Sequence, residues 1–109
     1  MTWATILSIV TALAFTGAAA ANAFDWGGTA QSFCDWGYPR QWRFVTAAIE
    51  VAGAAMLIVP ETRAAGMVLL GAVIVGAILT LLRVRAGAAH LAPTIGFAVL
   101  LAAAGVVAL

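Results

Sequence analysis

Glu50 is the residue whose type and position most demand a chemical explanation. It stands alone in the apolar run QWRFVTAAIEVAGAAMLIV, residues 41–59, with nine residues on either side. In a helix rising about 1.5 Å per residue it sits roughly 14 Å from each end, at the middle of a hydrocarbon layer about 30 Å thick. A charged carboxylate there costs about 2.5–3.5 kcal/mol on insertion scales. A neutral, hydrogen-bonded acid is therefore expected unless a cation reaches it. Such an acid can carry a proton, bind a cation or contact a ligand. Its structural use is a hydrogen bond to a neighbouring helix. Ser8, Thr11 and Thr16 of the first apolar run are candidate partners, and Thr46 and Thr80 are further supporting hydroxyls. Arg43 shares its face about 10 Å along the axis, but a long cationic stem is expected to snorkel outward.

Other reactive side chains are sparse. His90 has no second histidine and no cysteine in its loop, so it reads as a solvated imidazole, and no metal site is expected. A haem ligand would require it to turn inward. Cys34 is the single cysteine, which excludes an internal disulfide, and no basic residue adjoins it in sequence. No Ser/His/Asp set, phosphate-binding glycine loop or carboxylate pair is visible, so an enzyme is not indicated. Net charge is +1, without basic clusters, which gives no footprint for nucleic acid.

The solvent that positions these groups is lipid. The chain is 65% hydrophobic and 8% charged, with mean hydropathy +1.12; soluble domains run near 45–50% apolar and about 25% charged. Four runs of spanning length, 3–21, 41–59, 64–82 and 91–109, predict an all-α transmembrane four-helix bundle in one membrane domain. Both termini then share one side. Ala21-Asn22-Ala23 imitates the end of a secretory signal, but no basic residue precedes the run, so it reads as a retained helix.

Small residues mark the expected contacts. Ala4, Ser8, Ala12, Thr16 and Ala20 recur every four residues in the first run, and Ala72, Gly76 and Thr80 do so in the third. Thr46, Ala47, Gly53 and Ala54 share the face of Glu50, making it a low point for a neighbouring helix. The third run is the natural close partner of the second. Loop 22–40 carries Asp25-Trp26-Gly27 and Asp35-Trp36-Gly37, read as turns anchored at the headgroup level by Trp26 and Trp36. Pro39 precedes the second run, Pro60 ends it, and Gly87 is expected to supply the last bend. Arg40, Arg43, Arg83 and Arg85 lie toward one side and Arg63 toward the other, so the positive-inside rule places the termini outside. A multi-pass protein of the bacterial inner membrane is expected.

The middle of the chain resembles the DoxX-like family of small four-helix membrane proteins. The resemblance rests on Gly37-Tyr38-Pro39, Glu50 with Gly53, Leu57 and Pro60, then Arg63, Gly66 and Gly71-Ala72. It covers residues 35–85 most closely. Members often place a lysine late in helix one; here only alanines and Asn22 follow Gly17, so a Lys–Glu pairing is missing. The end of the third run also lacks a histidine common in the family, with Leu81 and Leu82 in that region. The resemblance implies a small bundle working alongside a partner, as in thiosulfate:quinone oxidation, oxidative-stress complexes or receptor assembly.

Three functions follow as expectations. The first is an accessory subunit or assembly factor in the lipid bilayer, with a membrane-protein partner or a homo-oligomer and no cofactor. The second is a redox-linked subunit holding a quinone or haem near Glu50. The third is a small proton-coupled exporter, disfavoured because its glutamate belongs in the first helix, which here has no acid.

Overall fold

The computed structural model describes residues 2–108. Five helices follow one another: α1 (Trp3–Ala23), α2 (Thr29–Asp35), α3 (Trp42–Ile58), α4 (Arg63–Arg83) and α5 (Ala88–Ala108). Among the described residues α1, α4 and α5 are long and apolar enough to cross a membrane. At 17 residues, α3 is shorter than the 19-residue run that suggested it. Its start is delayed because the chain after Pro39 first makes tight turns, with Trp42 N–H on the Pro39 carbonyl at 3.1 Å and Arg43 N–H on that of Arg40 at 3.3 Å. Its end is early because the residue before a proline is driven out of the helical region; Val59 has ψ 117°. The last helix begins at Ala88, earlier than expected, so His90 lies in its first turn. The expected end at Leu109 lies outside the described residues.

The four long helices close a ring: α1 packs on α3 and α5, and α4 packs on the same two. Its inside and outside follow from the solvent. Ser8, Thr11 and Glu50 are buried, whereas Leu13, Val68, Leu79 and Val99 are each more than 60% exposed. Lipid provides no hydrophobic drive between helices, so close packing and polar contacts hold the interior. Leu57 and Leu70, both fully buried, join Ala12, Phe15, Ala54, Ile74 and Leu101 in the core, where Phe15 meets Phe97 at 4.9 Å between centroids.

Only part of each predicted stripe lies at a seam. On α1 the buried face is Ser8, Thr11, Ala12, Phe15 and Ala19, with Thr16 turned outward. The α3–α4 seam uses Gly53 and Gly66: a Cβ on Gly66 would lie 2.8 Å from the Met56 Cβ and 3.0 Å from the Gly53 carbonyl oxygen. Ala72 and Gly76 instead face outward.

The connection after α1 is not a plain surface loop. Its two Asp-Trp-Gly triplets begin and end α2. Asp25 takes a left-handed φ of 56°, and its carboxylate accepts the Ala30 N–H at 2.8 Å, holding the start of the helix. That bond keeps the Asp25 carboxyl below its ordinary value of 3.8. Asp35 accepts from Gln31 at 2.9 Å, and Gly37, at φ 92°, reverses the chain. After α4 the left-handed residue is Arg85, φ 54°, rather than the expected Gly87.

Candidate functional site

Glu50 is the central residue of α3 and is 5% exposed. The 3.6-residue period puts Ala47, Gly53, Ala54 and Leu57 on the same buried face. Thr46, predicted to share that face, is half-buried and turns to another flank of the helix. The partner of Glu50 is Asn22, whose Nδ2 donates to Oε1 at 2.8 Å. Asn22 stands in the last turn of α1, so the carboxylate is tied toward that end of the ring although its Cα is central in α3. Helical side chains lean toward their own N-terminus, and in this pair each leans toward the other.

None of the five supporting hydroxyls bonds to Glu50, and four of them make other bonds. Thr11 donates to the Leu7 carbonyl at 2.7 Å, Thr16 to that of Ala12 at 2.7 Å and Thr46 to that of Trp42 at 3.0 Å. A hydroxyl that returns to its own helix is locally satisfied and leaves its neighbours alone. Thr80 pairs with the Tyr38 hydroxyl at 2.8 Å, and the buried Ser8 Oγ has no partner among the described residues.

Arg43 does not snorkel outward. Its Nη1 donates to the carbonyls of Asn22 and Ala23 at 3.0 and 3.1 Å, closing the C-terminal end of α1, while Nε is buried without a partner among the described residues. Arg63 repeats the device, its Nε donating to the Leu57 carbonyl near the end of α3 at 2.9 Å. Arg83 donates to the Trp36 carbonyl at the end of α2 at 2.8 Å. A helix end leaves carbonyls without intrahelical donors and carries partial negative charge, which a guanidinium satisfies on both counts. The arginines that suggested an orientation therefore also hold helix ends together; Arg85 is exposed.

A second feature lies on another flank of α3. Thr46 and Ile49 of α3, Ala72, Gly76 and Thr80 of α4, and His90 and Thr94 of α5 line a cleft of about 310 Å³. Phe33, Trp36, Tyr38 and Trp42 line it from α2 and the chain leading into α3. Tyr38 stacks on Trp42 at 5.1 Å, and the His90 ring meets Trp36 edge-on at 5.6 Å. His90 is thus exposed but packed against an aromatic ring rather than free in a loop. Pro39 positions this group by opening the turns that lead to Trp42. Trp26 stands apart, 58% exposed and stacked on Phe24 at 5.6 Å.

A third feature is a furrow between α1 and α3, lined by Thr16, Ala19, Ala20, Ala23, Phe24, Ala47, Ala48, Val51 and Ala52. Glu50 lines neither the cleft nor the furrow. Among the described residues no group of three or more metal-ligating side chains is found.

Asn22 and Tyr38 were not recognised from sequence as site residues. Asn22 is the chain's single asparagine, placed at the end of an alanine run where an Ala-x-Ala reading conceals it. Tyr38 is the single tyrosine, and its interfacial position was the available signal. Cys34 also gains a neighbour: the Arg40 Nε–H points at its sulfur at 3.3 Å, across a turn that sequence adjacency does not reveal.

The sequence pattern of the DoxX-like family matches residues 6–106. No curated protein and no solved structure matches the chain.

Proposed function

The chain belongs to the DoxX-like family of membrane proteins, and from that premise we propose that it is an accessory subunit or assembly factor that binds a transmembrane helix of a larger membrane protein. The furrow between α1 and α3 carries this reading. Ala48 and Ala52 are exposed along it, and alanines from both helices recess its floor. Between helices in lipid, affinity comes from the close approach that small residues permit. The occupant is an apolar helix whose own larger side chains fill the recess. Glu50 supports the assignment by its occupation: a neutral amide, Asn22 in the last turn of α1, holds it.

In this reading the protein is a transmembrane four-helix bundle. At 17 residues α3 is about 26 Å long, within the range of about 17–25 residues that spans a bilayer. The exposed Val45, Val51 and Ile58 give it a lipid face. Both termini then lie outside a bacterial inner membrane, with α2 cytoplasmic. Cys34 is exposed on α2 and reports the orientation: a membrane-impermeant maleimide labels it only after spheroplasts are permeabilised. Labelling of intact spheroplasts reverses the orientation.

The functional test is extraction of the native complex with wild-type, Ala48→Leu and Ala52→Leu chains. The wild-type chain runs in an assembly larger than its monomer, and both variants release it while keeping their helical content. A wild-type monomer without a partner, or variants that retain the assembly, refutes the proposal.

A further inference from the structure

The aromatic cleft is separate from the furrow and from Glu50, and we propose that it is a binding site for a flat, uncharged two-ring phenol that partitions into the membrane. Five observations give that chemistry.

The walls are rings. Phe33, Trp36, Tyr38, Trp42 and His90 all line the space, and aromatic faces and edges favour a flat π-system through offset and edge-on contacts. The base is small: Ala72, Gly76 and Ala77 line it from α4, and a Cβ on Gly76 would meet nothing within 4 Å. Among the described residues no Asp, Glu, Lys or Arg lines the cleft, so a charged guest would lose its hydration without an opposing ion in the lining. A volume of about 310 Å³ lies at the small end of ligand sites, which limits the guest to a compact ring system.

The hydroxyl is placed by Tyr38 and Thr80. Their oxygens are 2.8 Å apart. One O–H donates to the other, which leaves the second proton and several lone pairs for a guest hydroxyl. Arg83 steadies this wall, with Nη2 on the Trp36 carbonyl at 2.8 Å and its guanidinium 5.6 Å from the Tyr38 ring centroid. The rings sit at the end of the ring of helices where tryptophan and tyrosine favour the membrane boundary, so the guest enters from the lipid side.

The test is equilibrium dialysis of 2-naphthol and naphthalene against the full chain in lipid nanodiscs, with empty discs as the reference. Saturable uptake of one 2-naphthol per chain above the empty discs is expected. Gly76→Leu fills the base and weakens binding at least tenfold; Ala72→Leu serves as a second filling variant should the first fail to fold. Gly17→Leu, at another position with open space around its Cβ, leaves binding unchanged. Tyr38→Phe weakens 2-naphthol by about two- to tenfold, the worth of one neutral hydrogen bond, and leaves naphthalene unchanged. Uptake equal to that of empty discs, or binding unaffected in both filled variants, overturns the proposal. Equal affinities of the wild-type chain for naphthalene and 2-naphthol overturn it as well, because the hydroxyl would then have no partner.

Discussion

Replacing Asn22 by alanine removes the side-chain donor that the structure gives to Glu50. The bond is 2.8 Å long and its acceptor residue is 5% exposed, so water cannot readily replace the lost amide. Leaving a buried polar group unpaired costs about 1–3 kcal/mol in soluble proteins. Within membranes, measured side-chain hydrogen bonds average about 0.6 and reach about 1.7 kcal/mol, because the unfolded chain also finds partners. The expected loss is therefore about 1–2 kcal/mol, close to a tenfold shift in the folding equilibrium. Reversible unfolding in mixed dodecyl sulfate micelles, followed by tryptophan fluorescence, measures it. Glu50→Gln keeps an acceptor oxygen for Asn22 and is expected to cost less than Glu50→Ala. Thr46→Val on the same helix removes a hydroxyl bonded to its own backbone and stays within about 0.5 kcal/mol of wild type. The decisive quantity is the coupling in the Asn22→Ala, Glu50→Ala double-mutant cycle, expected at about 0.6 kcal/mol or more. Additive effects of the two substitutions would refute the assignment of Asn22 as the partner of Glu50.

Gly66→Ala drives a Cβ into the backbone of α3 and is expected to cost about 1–3 kcal/mol in the same unfolding assay. Gly17→Ala meets nothing within 4 Å and is expected to be neutral or stabilising by up to about 1 kcal/mol. Arg43→Met leaves the last carbonyls of α1 without their donor, so hydrogen exchange at the α1 end should accelerate while the centre of α4 stays protected. The Asp25 carboxylate stabilises the start of α2 at pH above its ordinary value of 3.8, and that stabilisation is lost as pH falls through its lowered folded value. The Ala30 amide resonance in micelles should titrate below 3.8, and Asp25→Asn should abolish the titration.

Composition and periodicity were enough to show an all-helical membrane protein. Spans recur at bilayer length, and i, i+3, i+4 spacing places Ala47, Glu50, Gly53 and Ala54 on one buried face. The family was also legible: the resemblance read over residues 35–85 agrees with the family pattern that matches residues 6–106. Helix limits were less legible: Val59 before a proline and the tight turns after Pro39 both shorten α3 through local backbone geometry.

Only the tertiary structure decided who touches whom. Asn22 and Glu50 are 28 residues apart, and nothing in either local pattern pairs them. The arginines look in sequence like headgroup contacts, yet three of them donate to helix-end carbonyls, because a helix terminus leaves acceptors without intrahelical donors and carries partial negative charge. The small-residue stripes could mark a seam, an outer furrow or the base of a cleft. Periodicity fixes which residues share a face, but helix rotation decides what that face meets. Gly66 went to the seam, Ala48 to the furrow and Gly76 to the cleft.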